Sequence, residues 1–577
     1  MTKKKKAVQD PKVAYFCMEY GLDSKFNIYS GGLGILAGDH LKAAQEADYP
    51  LVGIGMLWKQ GYHKQKITAQ GEPYNAYYNY DYNFLEDTGV EVKVKIRNRP
   101  VYCKVWKVTE FDNADLYLLD TDLDKNFADD QWITGQLYGW FSEERIAQEM
   151  VLGVGGVKAL KKLGIEVDLY HFNEGHAVFA GLELIRDKMD DKKVEFNEAQ
   201  KSELKSSKTE LDEKEKVKFA AAWEEVKEQI VFTTHTPVPE GNEKHAHHLL
   251  QYMGANLGLS IEEMVELGGA PFNLTTAALR LANKANGVSK LHKETAQEMW
   301  EEVEERAPII GITNGVHSKT WVDKRMVNRF SEGSDEQIWG THQELKLELL
   351  DYIEQETETR LDEEKLLIAF ARRAADYKRS DLIFSDLKII EQYLEEGTIQ
   401  IVFSGKAHPL DDAGQQTVAK ILEMVEQYPE SIVFLEDYNI EIAKLLTRGC
   451  DLWLNNPRRP KEASGTSGMK AAMNGVLNLS ILDGWWPEIC RHGQNGWAIA
   501  VNPKTEADFS GSTKEKVAKL DEYDTKNLYD VLLNEVVPTY YSEQEQWIKM
   551  MKTSHRDTYQ PFSAARMIRE YYQRLYT

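Results

Sequence analysis

Residues 451–482 read DLWLNNPRRPKEASGTSGMKAAMNGVLNLSIL, with two apolar runs on either side of a small-residue loop and a short helical segment. The runs DLWLNN and VLNLSIL have the length and composition of buried strands. MKAAM favours a helix that Asn474-Gly475 can end through a left-handed cap. Strand, helix and strand in this order predict a parallel pair with a crossover helix, which is the unit of an α/β fold.

Similar apolar runs recur along the chain, each followed by a turn and then by helical material. Continuous apolar strands that alternate with helices predict an α/β protein whose parallel sheets are covered on both faces. These runs are VAYFCMEY (13–20), LVGIGMLW (51–58), ADLYLLDTD (114–122), VDLYHF (167–172), IVFTTH (230–235), IIGITNGV (309–316), LLIAFARR (366–373), QIVFSGK (400–406) and SIVFLED (431–437).

The length of 577 residues is too great for one hydrophobic core and predicts two domains. A polar, helical segment without strand signals covers residues 316–364 and separates two groups of runs. We therefore predict an N-terminal domain over 1–315 and a C-terminal domain over 316–555. The highly charged stretch 189–229 predicts a solvated helical excursion of the first domain, without a chemical role.

Charge and composition exclude several classes of protein. The net charge of −23 and the pI near 5.2 disfavour binding to nucleic acid or to anionic membranes. No window has the ~18 uninterrupted apolar residues of a membrane span, and the lysine-rich start lacks the apolar region of a secretory signal. We therefore expect a cytoplasmic protein. The four cysteines have no metal-type spacing, which predicts buried free thiols: Cys17, Cys103, Cys450 and Cys490.

Ligands of open α/β sheets bind at the carboxyl ends of strands, and here those ends are rich in His, Arg and Lys. In EASGTSGMKAAMNG (462–475), a small-residue loop enters a helix whose free N–H groups suit a phosphate. The carboxylate of Glu462, ahead of this loop, could accept hydrogen bonds from sugar hydroxyls. Spacing alone fits equally well a glycine-rich junction with a surface lysine.

A second motif, ARRAADYKRS (371–380), has four cations directly after a strand, and these predict an oxyanion pocket. The alternative is a solvated basic helix start, but cations at a helix N-terminus oppose the helix dipole. Two further features are weak by themselves. SGGLG (30–34) could bring backbone close to a ligand, and His176 and His235 could each be structural.

Together these motifs resemble those of the α-glucan phosphorylases, the family of glycogen, starch and maltodextrin phosphorylases. They occur in the family's order from about residue 13 to about residue 500. The motifs are SGGLG, FNEGH (172–176), TTHTPVPEGNE (233–243), ANGVSKLH (285–292), TNGVHSKTW (313–321), ARRAADYKRS, EASGTSGMKAAMNG and LDGWWPE (482–488).

The resemblance implies a glycosyltransferase-B fold, in which two Rossmann-like domains face each other across a cleft. It implies that a C-terminal helix, residues 556–577, returns to the N-terminal domain. It also implies pyridoxal 5′-phosphate, bound as a Schiff base by Lys470. The implied reaction cleaves terminal α-1,4-linked glucose from a glucan with orthophosphate and gives α-glucose 1-phosphate with retained configuration. The family is commonly homodimeric.

The matched positions imply a role for each site residue. Lys470 anchors the cofactor, whose phosphate takes part in proton exchange. Arg373 and Lys378 would bind the substrate phosphate. The remaining implied contacts are Thr466, Gly32, Tyr438 and Arg372 with the cofactor, Glu462, Ser464 and Gly465 with glucose hydroxyls, His235 and Asn286 with the 6-hydroxyl, and Glu174 and His176 on the acceptor side.

Two positions depart from the longer enzymes of the family. Arg372 replaces a lysine, and Asn439 replaces an arginine, so that one cation near the cofactor phosphate is lost. The chain also shows nothing that resembles the phosphorylation and nucleotide-control segment of the long animal and plant enzymes. We therefore expect no allosteric control of that kind.

Alternative functions make different demands on the same motifs. A sugar-nucleotide-dependent glucosyltransferase of the glycogen synthase type typically has a second glutamate eight residues after Glu462, where this chain has Lys470. A non-catalytic glucan-binding or regulatory protein usually loses the lysine or the phosphate-binding cations, which are present here. A pyridoxal phosphate enzyme acting on amino acids would need carboxylate contacts that the resemblance does not offer.

Overall fold

The computed structural model describes residues 10–68, 71–139, 141–191, 207–238 and 241–577. It confirms a mixed α/β protein with parallel sheets, and each of the apolar runs above contributes a strand. The strands are β1 Val13–Phe16, β2 Leu51–Met56, β3 Lys64–Ile67, β4 Pro73–Ala76, β5 Glu86–Ile96, β6 Arg99–Val108, β7 Leu116–Asp120, β8 Leu169–Asn173, β9 Ile230–Thr233, β10 Lys244–His245, β11 Phe272–Asn273, β12 Lys284–Gly287, β13 Ile309–Gly311, β14 Leu366–Ala371, β15 Ile399–Ser404, β16 Ile432–Leu435, β17 Leu452–Asn455, β18 Leu477–Ser480 and β19 Gly496–Ala498.

The first large sheet has the order β13-β12-β9-β8-β1-β2-β7-β6-β5. Its strands are parallel from β13 to β7, and β6 and β5 extend it as an antiparallel hairpin. This hairpin contains no continuous apolar run, because toward its end β5 alternates between buried residues such as Val92 and Val94 and exposed ones. A strand with one solvated face shows this period of two.

The second large sheet has the order β16-β15-β14-β17-β18-β19 and is parallel throughout. The helix Thr466–Met473 joins β17 to β18, as the sequence predicts. Gly475 has a φ of 84°. The N–H of Val476 donates to the carbonyl of Ala471 at 3.1 Å, and the N–H of Gly475 donates to that of Ala472 at 3.0 Å. This is a left-handed helix cap.

The helices surround both sheets, and those of segment 316–364 confirm its predicted helical character. Of the charged stretch 189–229, residues 192–206 lie outside the described residues, and the helix Ser207–Lys227 follows. The α-helices are Gly32–Glu46, Ala128–Gln131, Ser142–Met150, Gly156–Leu163, Val178–Asp191, Ser207–Lys227, His247–Met253, Ile261–Gly268, Leu274–Leu281, Lys290–Met299, Ser318–Trp321, Lys324–Glu332, Asp335–Thr357, Leu387–Glu395, Asp412–Gln427, Ile440–Gly449, Thr466–Met473, Thr513–Val531, Val537–Ser542, Gln544–Thr558 and Ala564–Glu570.

The C-terminal residues pack against the first sheet. Met567 and Ile568 belong to the same buried cluster as β1 and β8, whereas the strands of the second sheet have their own buried clusters. The hydroxyl of Tyr576 lies 2.7 Å from Nδ1 of His171. Within the described ranges, no helix is both long enough and apolar enough to cross a membrane.

Candidate active site

A cavity of about 660 Å³ lies where the carboxyl ends of strands from both large sheets meet. Its walls are formed by residues that follow β8, β9, β14, β16 and β17, together with the start of the helix Gly32–Glu46. Every predicted site residue except Asn286 lines it. These residues are Gly32, Glu174, His176, His235, Arg372, Arg373, Lys378, Tyr438, Glu462, Ser464, Gly465, Thr466 and Lys470.

Lys470 lies in the last turn of the helix Thr466–Met473 with its side chain almost fully buried. Its Nζ is 3.4 Å from the centroid of the Trp321 ring, and no hydrogen-bond acceptor or carboxylate contacts it within the described residues. Burial lowers the pKa of Lys470 to about 8. Such an amine is a better nucleophile at neutral pH than an ordinary lysine.

Trp321 is held in place from its other edge. Its Nε1–H donates to both carboxylate oxygens of Asp39, at 3.0 and 2.9 Å. The indole ring therefore has a fixed orientation under the ammonium group, and an ammonium over an aromatic face is stabilised electrostatically. The sequence contains no local signal for this contact, because the three residues come from three distant segments.

The loop before this helix is held by close backbone packing. Gly465 has a φ of 84°, and a side chain at Gly484 would lie 2.3 Å from the carbonyl oxygen of Ser464. The hydroxyl of Ser289 donates to the carbonyl of Ala463 at 2.7 Å. Ser464 is buried, and its own hydroxyl has no partner in the described part of the chain. A ligand in the cavity could satisfy this hydroxyl.

The neighbouring arginines of ARRAADYKRS have opposite environments. Arg372 is buried and donates to Oε2 of Glu462 at 2.6 Å and to the side chain of Asn455. Arg373 is exposed in the cavity wall, and no carboxylate pairs with it among the described residues. A guanidinium without a carboxylate partner is available to an anionic ligand.

Glu462 is ionised by its surroundings. Lys378 also donates to its Oε2 atom, at 3.0 Å. Burial alone would raise the pKa of Glu462, but Arg372 and Lys378 outweigh burial and lower that pKa to about 2. Both cations contact the same oxygen, so Oε1 keeps its capacity to accept a hydrogen bond.

Glu174 has a strained backbone and a fully engaged side chain. Its φ of 72° and ψ of 170° lie in a region that is almost exclusive to glycine. The carboxylate accepts from the backbone N–H and hydroxyl of the His235-Thr236 segment and from the N–H of Gly175. Because protein donors occupy both oxygens of Glu174, its side chain stabilises the segment that follows β9.

Both predicted histidines are neutral. Burial lowers the pKa of His235 to about 3, and Nε2 of its ring lies 2.7 Å from Oδ1 of Asn173. Burial and the cation of Arg145 lower the pKa of His176 to about 4. The Nδ1 atom of His176 is buried without a partner in the described ranges. Neutral imidazoles can donate or accept single hydrogen bonds to sugar hydroxyls.

Asn286 does not reach the cavity. It lies on β12, beside the edge strand β13 of the first sheet, is fully buried, and accepts from the hydroxyl of Thr233 at 2.7 Å. Its Nδ2–H donates to the hydroxyl of Tyr571 at 3.2 Å. The predicted contact with a sugar 6-hydroxyl is thus not supported by this geometry, because both ends of the amide bind protein groups.

Asn439, which replaces an arginine of the longer enzymes, has a local structural role. Its Oδ1 accepts from the N–H groups of Glu441 and Ile442 at 2.9 and 3.1 Å, and so caps the helix Ile440–Gly449. A cation does line this part of the cavity: Lys406, which pairs with Asp437 at 2.6 Å. Lys406 was not predicted as a site residue, although it follows β15.

Arg145 and Glu243 form a charged part of the wall that sequence reasoning missed. They bind each other, and Arg145 lies 3.7 Å from Oε1 of the buried Glu149. Burial and the neighbouring carboxylate of Glu243 raise the pKa of Glu149 well above its usual value. Side-chain atoms of Glu149, Glu243 and His245 lie within 4.8 Å of one another, close enough to share a metal ion. The guanidinium of Arg145, however, already balances the negative charge of these carboxyl groups. The sequence does not reveal these residues as part of a site, because the spacing of Arg145 and Glu149 is also that of an ordinary ion pair on an exposed helix face.

Glu19 and Tyr138 also line the cavity without having been predicted. Glu19 is buried and lies three residues after β1. The hydroxyl of Tyr138 donates to Oε1 of Glu19 at 2.6 Å. A usable signal did exist for Glu19, since it is a carboxylate at the carboxyl end of a parallel strand. Tyr138 has no such signal, because it lies in an irregular loop.

Comparison with known proteins identifies the same family along the chain. Residues 325–506 match the family described as carbohydrate phosphorylase. A maltodextrin phosphorylase of Thermococcus litoralis is 38% identical over 98% of this chain and 70% of its own length. A glycogen phosphorylase of Aquifex aeolicus is 34% identical over 98% of this chain and 86% of its own length. A glycogen phosphorylase of Mycobacterium tuberculosis is 33% identical, with coverages of 98% and 70%.

Proposed function

Because this chain belongs to the carbohydrate phosphorylase family, we propose that it is an α-1,4-glucan phosphorylase. It transfers the terminal α-1,4-linked glucose of a glucan to orthophosphate and gives α-glucose 1-phosphate with retained configuration. The observation that carries this proposal is the buried Lys470 amine, which lines one cavity together with the guanidinium of Arg373. A nucleotide-sugar site would need an acceptor for ribose where this chain has the lysine.

The residues of the cavity fit pyridoxal 5′-phosphate. Lys470 offers an amine of lowered pKa for the aldehyde carbon. A side chain at Gly31 or Gly32 would meet no protein atom within 4 Å, so packing does not require these glycines, and they leave room for a ligand. The N–H groups of the first turn after them have no acceptor within the helix and suit a phosphate.

The other predicted cofactor contacts lie around the same space: Thr466 at the start of its helix, Tyr438 after β16, and Arg372 after β14. When bound, the cofactor supplies a phosphate monoester with a second pKa of about 6, which can exchange protons near neutral pH. The protein's part is to hold that group beside the substrate phosphate.

The cations of the cavity bind two different anions, the substrate orthophosphate and the carboxylate of Glu462. Arg373 binds the substrate orthophosphate directly, because it has no carboxylate partner in the described ranges. Arg372 and Lys378 both pair with Glu462 in the same part of the cavity and neutralise its carboxylate. Positive charge fixed beside the reacting centre stabilises the negative charge of the phosphate during glucose transfer.

The glucose and acceptor contacts follow from the free hydrogen-bonding capacity of the wall. Oε1 of Glu462, the hydroxyl of Ser464 and the backbone at Gly465 bind glucose hydroxyls. His235 and His176 contribute neutral imidazoles. Glu174 shapes the acceptor side through His235 and Thr236. Asn286 does not contact the glucan; it lies behind the cavity wall and binds Tyr571.

We also propose that the two large sheets are the Rossmann-like domains of a glycosyltransferase-B fold, divided near residue 316, with residues 556–577 returning to the first domain. The separate buried clusters of the two sheets support this division. The position of Met567 and Ile568 in the first cluster supports the return.

The test is glucose 1-phosphate formation from maltodextrin and orthophosphate by the purified protein, together with its cofactor absorbance. We expect both in the wild type, and loss of both in Lys470→Ala. Lys420→Ala, an exposed lysine on the helix Asp412–Gln427, is the matched control and should retain both. A colourless protein that consumes a nucleotide sugar instead would overturn the proposal.

A further inference from the structure

Glu19 makes several hydrogen bonds to the glycine loop at the cavity wall. Its Oε2 accepts from the backbone N–H of Ser30 at 2.6 Å and from that of Gly31 at 3.1 Å. The Ser30 hydroxyl lies 3.1 Å from both carboxylate oxygens. Oε1 accepts from the hydroxyl of Tyr138 at 2.6 Å. Both oxygens of Glu19 are thus occupied by protein donors.

The helix that follows the loop is built to accommodate this carboxylate. A side chain at Gly34 would lie 2.7 Å from Oε2 of Glu19 and 2.7 Å from the β-carbon of Tyr29. Gly34 is an ordinary helical residue, so its backbone conformation does not require glycine. Space for Glu19 and for Tyr29 does require glycine at this position, so the packing as well as the hydrogen bonds places the Glu19 carboxylate against the helix.

The hydrogen bonds decide which N–H groups of the loop remain for a ligand. Glu19 occupies the N–H groups of Ser30 and Gly31, so neither can bind an anion in the cavity. The N–H groups of Gly32 and Leu33, in the first helical turn, have no acceptor within the helix. The orientation of Gly31 therefore sets the direction of the groups that follow it.

The same carboxylate also contacts a second part of the cavity wall. Tyr138 lines the wall on the side of Arg145, whose guanidinium carbon is 5.0 Å from the Tyr138 ring centroid. Glu19 thus connects the glycine loop with the charged pair Arg145 and Glu243. Neither the Ser30-Gly31 loop nor Tyr138 can shift without the loss of a hydrogen bond to Glu19.

We propose that Glu19 is a positioning residue, which holds the Ser30-Gly31 backbone so that the first-turn N–H groups face the cofactor phosphate, and which ties that loop to Tyr138. The inference rests on the proposed function. This positioning depends on where the side-chain oxygens of Glu19 lie. It does not depend on their charge, because each contact of the carboxylate is a hydrogen bond from a neutral donor.

Two substitutions separate position from charge. Glu19→Gln keeps the length of the side chain: the amide oxygen can accept from Ser30 and Gly31, and the amide N–H can donate to the Tyr138 oxygen. Glu19→Asp keeps the charge but withdraws the carboxylate by one methylene. Asp130→Asn is the control, because Asp130 is an equally buried carboxylate that pairs with Arg97 and Arg99 away from the cavity.

The first measurement is the affinity of the apoprotein for pyridoxal phosphate relative to pyridoxal. We expect Glu19→Asp to lower this ratio by about tenfold, the equivalent of one lost hydrogen bond, and to leave pyridoxal affinity unchanged. Glu19→Gln and Asp130→Asn should keep the wild-type ratio. Wild-type discrimination in Glu19→Asp, or its loss in Glu19→Gln, would overturn the inference.

The second measurement is amide hydrogen exchange across residues 29–33, which needs no cofactor. Glu19→Asp should accelerate exchange there, while Glu19→Gln and Asp130→Asn should not; unchanged exchange in Glu19→Asp would contradict the positioning role. A wild-type apoprotein that binds pyridoxal and pyridoxal phosphate equally would instead overturn the proposed function.

Discussion

The lowered pKa of Lys470 predicts an unusually reactive amine. Burial lowers this pKa from 10.5 to about 8. At pH 7, an amine with a pKa near 8 is about one-tenth neutral, whereas an ordinary lysine is neutral in only about one molecule in 3,000. Lys470 should therefore present about 300-fold more free amine than an exposed lysine to an incoming aldehyde.

The same shift makes the stability of the apoprotein depend on pH in a defined direction. Between pH 8 and 10.5 the unfolded chain holds the Lys470 proton and the folded chain does not. The free energy of unfolding therefore rises with pH across this window. The penalty for burying the ammonium, about 3 kcal/mol, is fully present below pH 8 and is relieved as pH approaches 10.5.

The assay is condensation of pyridoxal with the apoprotein over a range of pH, followed by borohydride reduction and quantification of the modified Lys470 peptide. Modification should rise to a midpoint near pH 8, while the peptide of the exposed Lys420 continues to rise beyond it. Trp321→Leu removes the ring 3.4 Å from Nζ. Because that ring favours the ammonium by about 1 kcal/mol, the midpoint should fall by about 0.7. A midpoint above pH 10 in the wild type, or a rise in Trp321→Leu, would refute the reasoning.

Three further outcomes follow from the contacts in the cavity. Arg373→Ala should lower turnover and phosphate use by about 100-fold with cofactor content intact, since it removes a charge at the reacting anion; loss of cofactor absorbance would show that Arg373 holds the cofactor instead. Glu462→Gln leaves two buried cations unpaired and should lower the free energy of unfolding at pH 7 by about 3 kcal/mol, measured as a lower urea midpoint. The wild type keeps that contribution above pH 4.5 and loses it as pH falls toward 2, so equal midpoints at pH 7 would contradict the ion pair. Asn286→Ala should weaken docking of Tyr571, measured as faster proteolysis of the C-terminus, with KM for glucan unchanged; a selective rise in KM would place Asn286 at the substrate after all.

Local patterns predicted much of the fold and most of the cavity wall. Parallel strands buried on both faces are continuous apolar runs, so the order of residues alone is enough to trace the second sheet from β14 to β18. The helix that carries Lys470 and its cap at Gly475 follow from residues that are neighbours in sequence. The hairpin β5–β6 was missed, because a strand with one solvated face shows no continuous run.

The sequence by itself determined which chemical groups follow each strand, and hence that Lys470, the cations and Glu462 meet at one edge. Tertiary structure alone decided how they are paired. Arg372 and Arg373 are identical side chains at adjacent positions, yet one is bound to Glu462, which is ninety positions away, and the other faces the cavity without a carboxylate partner in the described residues. Adjacent side chains at the end of a strand point in opposite directions. Which direction leads to a carboxylate and which to open space depends on segments that only folding brings together.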